Sequence, residues 1–439
     1  MPRQKILTRK ILALAWPAIA VNVTTPLLSL VDVAVVGHIG NSVYIAAIAL
    51  GATMFNTLYW LFGFLRMGTS GQTAQAYGAG DRTECVRMLA RALIIAVLAG
   101  VLLMAVHTPL GNALLTFLDD RDVAQGTAMH YFSIAILGAP GVMITYALSG
   151  WFLGMQDSKP ILWMALVANS LNIALNLFFV FVLKMSITGV AAATAVSQWV
   201  GACVGLALVW RQLRRIGLKN GFKGWRKGLL AWLAMRRFFT INIDIFLRTL
   251  CLVAVTLWFT HAGAKQGVLV LSANALLMQL FMLFSYFTDG FAFAGEALAG
   301  RYAGAHNTKR LRQVVVRLMR IGLVLSAICT VLYFLGGQEI MKVLTDQDDV
   351  LQVAYEYRWW VVAIPFAGFM SFIWDGIYIG LTQTRLMVLS MLIAMAVFYI
   401  IYFTCEPTLH NHALWLAFVV YLFARGVAQS LFYMKIEPR

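Results

Sequence analysis

Charge is scarce in this chain. Of 439 residues, 12% are Asp, Glu, Lys or Arg and 61% are hydrophobic, with a mean hydropathy of +0.80. A soluble globular chain carries about a quarter charged residues, so a soluble domain is excluded. Acid is scarcer than base, at 18 Asp and Glu against 34 Lys and Arg. The five cysteines, Cys85, Cys203, Cys251, Cys329 and Cys405, are odd in number and scattered without paired metal spacing. That pattern points to core packing and argues against disulfides or a metal centre. No GxxxxGK[ST] loop is present to cradle a nucleotide, so energy for any transport has to come from a gradient. Ser/His/Asp groupings and HExxH are missing too, and neither an enzyme nor a cofactor is expected. Nor are there alternating ten-residue strands of the kind that build an outer-membrane barrel.

What the chain has instead is long apolar runs, near residues 11–36, 43–65, 86–107, 129–155, 160–183, 187–210, 238–261, 268–295, 315–335, 357–381, 386–405 and 413–433. About twenty apolar residues cross the hydrocarbon core as a helix, so these runs predict twelve spans and an all-α, polytopic membrane protein. The net charge of +16 does not signal nucleic acid, because the basic residues sit between the runs. Arg3, Lys5, Arg9 and Lys10 precede the first, Arg82, Arg87 and Arg91 follow the second, and a dense set from Arg211 to Arg237 separates the sixth from the seventh. LDDRD at 118–122 and TDQDD at 345–349 lie in the opposite loops. The positive-inside rule then puts both termini in the cytoplasm. MPRQKILTRKILALAWPAIA imitates a secretory signal, but the apolar run continues past it, so an uncleaved first helix is expected.

The basic stretch divides the chain into residues 1–210, a linker at 211–237, and residues 238–439. The two large parts repeat. ALGATMFNTLYWLFGFLRMGTSGQTAQAYGAG from Ala49 lies over ANALLMQLFMLFSYFTDGFAFAGEALAGRYAG from Ala273, with Gly71 on Gly295, Gly80 on Gly304 and Gln72 on Glu296. After a two-residue slip, SGWFLGMQ lies over DGIYIGLT, pairing Gly150 with Gly376 and Gly154 with Gly380. Two pseudo-symmetric six-helix bundles related by an axis along the membrane normal are expected, a construction used by transporters.

Polar groups inside the runs mark the candidate site, because a charge in mid-bilayer costs at least a few kcal/mol and is kept for a purpose. On the first run Asn22, Thr25, Ser29 and Asp32 share one helical stripe, flanked by Pro17 and Pro26, which weaken the hydrogen-bond ladder and permit bending. Asp32 is expected to bind a cation or carry a proton. On the fifth run Asn169, Asn172 and Asn176 share a face, and on the sixth Thr194 and Gln198 lie one turn apart. A polar cluster of the first, fifth and sixth spans around Asp32 is predicted. In the second half, Asp244 and Arg248 at i, i+4 are expected to pair. Asp289, Glu296 and Asp375 are the other buried acids, and Asp289 and Asp375 lack a partner in the sequence. Arg66 and Arg425 read as counter-ions or snorkelling residues.

LAWPAIAVNVTTPLLSLVDVAVVGHIG, GQTAQAYGAG, ANSLNIALN, GVAAATAVSQ, FLRT and DGIYIGLT together resemble the multidrug and toxic compound extrusion family, in its DinF-like branch, over essentially the whole chain. The resemblance implies two six-helix lobes in a V shape, and a monomeric antiporter in a bacterial inner membrane. It also implies export of lipophilic or cationic small molecules against protons or sodium. It makes Asp32 the proton or cation site, Asn172 and Thr194 its neighbours and Pro17 the bending proline. The branch commonly has an aspartate where this chain has Asn176. A sodium site is then left with one carboxylate, which favours the proton as coupling ion. Other branches place coupling in second-lobe acids, which keeps Asp375 and Asp289 as candidates. A sodium-coupled exporter and a flippase of a lipid-linked oligosaccharide are the alternative readings. The flippase would need a cationic cleft, whereas the embedded charges read from the sequence lean acidic.

Overall fold

The computed structural model of the protein describes residues 2–37, 42–118, 122–215 and 228–436. Within the first helix the side chains of residues 2–4, 25–30, 32–34 and 36–37 lie outside the described residues. Every regular element among the described residues is helical, and twelve helical stretches are long and apolar enough to cross a membrane. The first half contains α1 (Pro2–Gly37), α2 (Ser42–Leu61), α3 (Phe64–Gly78), α4 (Arg82–Ala105), α5 (His107–Leu118), α6 (Asp122–Ala135), α7 (Ala139–Gly154), α8 (Lys159–Leu177) and α9 (Ser186–Arg215). The second contains α10 (Trp232–Lys265), α11 (Val268–Gly304), α12 (Thr308–Leu344), α13 (Asp348–Gly380), α14 (Thr384–Leu409) and α15 (Asn411–Ile436). Each predicted apolar run falls on one of these stretches. Several helices overrun it: α11 and α12 each have 37 residues, ~55 Å at 1.5 Å per residue against a core of ~30 Å.

Contacts divide the chain into Pro17–Phe239 and a second unit made of Met1–Trp16 with Thr240–Arg439. In the second unit Arg317 Nε donates to Thr8 Oγ1 at 2.9 Å, joining α12 to the start of α1. In the first, the end of the basic linker is tied down by buried Arg91, which donates to the Leu229 carbonyl at 2.6 Å and the Gly228 carbonyl at 3.1 Å while pairing with Glu84 at 2.7 Å. The unit boundary therefore falls inside α10.

The repeat recurs in the packing. α7 lies against α3, α4 and α9 with α8 on α9; in the same way α13 lies against α11, α12 and α15 with α14 on α15. Two of the matched glycine pairs, Gly150 with Gly376 and Gly154 with Gly380, sit where two helix backbones touch. A Cβ at Gly150 would meet the Arg66 carbonyl oxygen, and one at Gly376 the Ala292 carbonyl oxygen. One at Gly154 would lie 2.7 Å from Ser70 O, and one at Gly380 would meet Glu296 O. Small residues at i, i+4 are how membrane helices approach closely. Left-handed residues also come in pairs 226 apart: Gly80 and His306, Gln156 and Thr382, Lys184 and His410. Since non-glycine residues avoid this region, three such pairs at one spacing mark inherited turns. Asp81 and Asn307 follow the first pair and cap α4 and α12, accepting from Glu84 N at 2.8 Å and Arg310 N at 3.0 Å.

The copies differ in continuity. Breaks at residues 62–63 and 106, and a three-residue 3-10 turn at Ile136–Gly138, interrupt the first copy where α11, α12 and α13 run unbroken. Gly337 of α12 is a glycine without such a packing reason, since a Cβ there meets nothing within 4 Å. Gly337→Ala should therefore leave the thermal profile unchanged or raise it, as alanine gains about 0.5–1 kcal/mol in a helix interior. A lower melting temperature, read by fluorescence-detected size exclusion after heating, is the contrary result.

Candidate functional site

The fifth and sixth spans meet through polar side chains. Asn172 and Asn176 of α8, one helical turn apart, both face α9 and are 1% and 0% exposed. Asn176 Nδ2 donates to Asn172 Oδ1 at 3.0 Å, and Asn172 Nδ2 donates to Thr194 Oγ1 at 3.3 Å and reaches Ser197 Oγ at 3.5 Å. The two hydroxyls donate back to their own helix, Thr194 to Val190 O at 3.0 Å and Ser197 to Thr194 O at 2.9 Å, which leaves their lone pairs turned to the amide. The arrangement is a chain of amide and hydroxyl groups with no carboxylate on either helix. It can accept a proton donor or offer neutral oxygens to a cation, and cannot supply negative charge. Two turns after Asn172, at Phe178–Val182, the backbone widens into a π-helical segment, with Leu183 N bonded to Phe178 O at 3.1 Å. Such widened turns recur at functional sites.

The structure thus brings Asn172, Asn176 and Thr194 together. Asn169 is half-buried one turn before Asn172, and Gln198 is half-buried, its backbone against Gly141 of α7. Ser197 belongs to the cluster and escaped the sequence reading, although its spacing from Thr194, i+3, was a usable signal. On α1, Pro17 is buried and Asn22 half-buried, and the helix runs unbroken past Pro17 and Pro26. The side chains of Thr25, Pro26, Ser29 and Asp32 lie outside the described residues.

In the second unit the expected pairing of Asp244 with Arg248 is overturned. Thr384 Oγ1, at the first residue of α14, donates to Asp244 Oδ2 at 2.6 Å, and Arg248 pairs with Asp375 of α13. An i, i+4 pair on a helix surface is worth about 0.2–0.5 kcal/mol; a buried guanidinium gains far more from a buried carboxylate across the bundle. Asp375 is further held by Arg425, whose Nη2 is 3.7 Å from Oδ2, and by Gln429, whose Nε2 donates to Oδ1 at 2.7 Å. Arg425 also donates to Ser371 Oγ at 2.8 Å and lies over the ring of Phe372 at 5.5 Å. Arg425 is thus a counter-ion. Asp289 is half-buried and accepts from Ser285 Oγ at 3.3 Å, while Glu296 is 1% exposed on the face of α11 that Gly380 approaches. The reading of the embedded charges as acidic does not hold at Asp375, where two guanidiniums surround one carboxylate.

Neither cluster is a copy of the other. Positions 226 before Asp375, Arg425 and Gln429 hold Ser149, Trp199 and Cys203, and positions 226 after Asn172, Asn176 and Thr194 hold Phe398, Tyr402 and Val420. One scaffold thus carries two different buried polar sites.

A duplicated helical bundle with twelve membrane-length helices and polar groups buried within them is the construction of a membrane transporter. The sequence model of the MatE family matches residues 17–178 and again 241–403, the starts 224 and the ends 225 residues apart. DNA damage-inducible protein F of Escherichia coli is 35% identical over 424 residues, which is 96% of this chain and 91% of that protein. The chain belongs to the MatE family of transporters and to its DinF-like branch. The probable multidrug resistance protein NorM of Thermotoga maritima is 23% identical over 368 residues, 81% of this chain and 76% of that one. Among solved structures, the Vibrio cholerae MATE transporter VcmN in its bent form superposes with a TM-score of 0.83 at 18% identity, over 99% of this chain and 98% of that one. That likeness shows the same fold.

Proposed function

We propose that this protein is a secondary active exporter of lipophilic or cationic compounds, coupled to proton influx by alternating access and acting as a monomer in a bacterial inner membrane with both termini in the cytoplasm. Asp32 is the coupling acid, with Asn172, Asn176 and Thr194 beside it; Asn22, Thr25, Ser29, Asn169 and Gln198 line the substrate path, and Pro17 and Pro26 let α1 bend. The supporting observation is the neutral character of the α8–α9 cluster. Its amides and hydroxyls bond to one another and neither helix carries a carboxylate, so a bare sodium ion gains only the one carboxylate of Asp32, whereas a proton needs only one. Asp375, the strongest acidic candidate of the second unit, already holds two guanidiniums and is poorly suited to binding a further cation. Relatives named for multidrug resistance and for multidrug and toxin extrusion support the substrate class.

Counterflow in proteoliposomes under an imposed proton or sodium gradient tests the reading. Efflux of a cationic dye is expected to follow the proton gradient alone; efflux driven by sodium at constant pH overturns proton coupling. Restoring the second carboxylate gives a companion expectation. Asn176→Asp should let a sodium gradient drive efflux, with apparent sodium affinity tightened by about tenfold, ~1.4 kcal/mol. An unchanged sodium response in folded protein would show that this position does not select the ion.

A further inference from the structure

The ions around Asp375 do not balance. In direct contact stand one carboxylate and two guanidiniums, with Arg425 1% and Arg248 9% exposed. Asp289 on α11 also belongs to the electrostatic surroundings of Arg425, more weakly than Asp375, and accepts from Ser285 Oγ at 3.3 Å. Donors and acceptors are also left over. Nε of Arg248, Nε of Arg425 and Oε1 of Gln429 are buried without a hydrogen-bond partner among the described residues. One guanidinium more than the carboxylates in direct contact, together with unmade hydrogen bonds inside a bundle, is costly and marks a site that receives something.

We propose that Arg248 and Arg425 form a binding site for the anionic oxygen group, carboxylate, sulfonate or phosphate, of an amphiphilic ligand, and that Asp375 is an internal stand-in which the ligand displaces from Arg248. Arg248 is the guanidinium that exchanges, because it is the more exposed and its hold on the cluster is through Asp375. Arg425 stays, fixed by Asp375, Ser371 and the rings of Phe372 and Tyr421. After the exchange each guanidinium faces one anion and the contact charges cancel. The fork of arginine suits two-oxygen anions. This widens the proposed substrates from cations to anionic amphiphiles. It rests on the transporter assignment and not on proton coupling, and binding is measured without a gradient so that the two fail separately.

The test is fluorescence anisotropy of the purified full chain in neutral detergent with fluorescein and rhodamine 123, which share a ring system and differ in charge. Fluorescein should bind the wild type. Arg248→Gln should weaken it by about tenfold or more and leave rhodamine 123 unaffected, while Asp375→Asn, which removes the competitor, should tighten fluorescein by about tenfold. Fluorescein should also raise the melting temperature of Asp375→Asn more than that of the wild type, a response that a purely structural acid does not give. Arg248→Lys keeps the charge without the fork and should weaken binding partially, which preserves the test if Arg248→Gln fails to fold. Phosphatidylglycerol that displaces fluorescein identifies the ligand source as lipid, and failure to displace it identifies a soluble amphiphile. Absence of fluorescein binding to the wild type, unchanged binding in folded Arg248 variants, or weaker binding in Asp375→Asn overturns the proposal.

Discussion

Asp32→Asn is expected to insert and fold like the wild type and to export ~100-fold more slowly under a pH gradient, at the level of protein-free liposomes. The amide is nearly isosteric with the protonated acid, so packing around it has no reason to change. Coupling is a different matter. A proton biases a two-state equilibrium only by its differential affinity for the two states, and moving that equilibrium from 1:99 to 99:1 takes about 5.5 kcal/mol of difference. An amide binds no proton in either state and transmits none of it. The α8–α9 groups Asn172, Asn176, Thr194 and Ser197 cannot take over, because none of them titrates near neutral pH. Expression, monodispersity and dye efflux should be measured side by side. Gradient-driven efflux at the wild-type rate in a monodisperse Asp32→Asn sample would remove Asp32 from the mechanism.

Gly376→Val is expected to prevent assembly of the second unit. A Cβ at this position meets the Ala292 carbonyl oxygen and lies 2.6 Å from the carbonyl carbon and 2.8 Å from the Cα of the same residue. These are backbone atoms of α11, and a helix backbone cannot turn aside as a side chain can. The two helices would have to separate along the contact that also seats Gly380, 2.8 Å from a built Cβ to Gly300 N. Overpacking a well-filled core ordinarily costs about 1–3 kcal/mol; a clash with backbone belongs at or above the top of that range. The measurable outcome is a collapse of monodisperse yield in fluorescence-detected size exclusion, with any surviving protein melting well below the wild type. A wild-type profile would show that α11 and α13 do not approach as described. The contrast with Gly337→Ala matters, since both change a helical glycine and only one has a backbone opposite.

The same glycine pairs show how far the sequence can be read. Gly150 with Gly154 and Gly376 with Gly380 were recognisable as repeats because a close helix contact demands small residues at i, i+4, a local pattern. Asn172, Asn176 and Thr194 were legible for the same reason: their spacing puts them on single helix faces, and buried amides need partners. Arg248 was misread because the only partner visible at short range was Asp244. Its real partner is 127 residues away on α13, and no periodicity on one helix points to another. The break in the first copy at residues 62–63 had only Gly63 to mark it; at 106 and at Ile136–Gly138, Pro109 in the first turn of α5 and Pro140 in the first turn of α7 were the available signs.

By itself the sequence determined that this is a twelve-span helical membrane protein made by duplication, because hydrocarbon thickness, backbone hydrogen bonding and helical period are constraints on consecutive residues. It also determined which helix faces are polar. Only the tertiary structure decided which of those faces meet: Ser197 joining the asparagines, Asp244 serving Thr384, and Asp375 drawing in Arg248, Arg425 and Gln429 from two other helices. The physical reason is that a buried charge in low dielectric seeks its partner across the whole bundle. That choice depends on which side chains packing brings within a few ångströms, which the order of residues along one helix does not record.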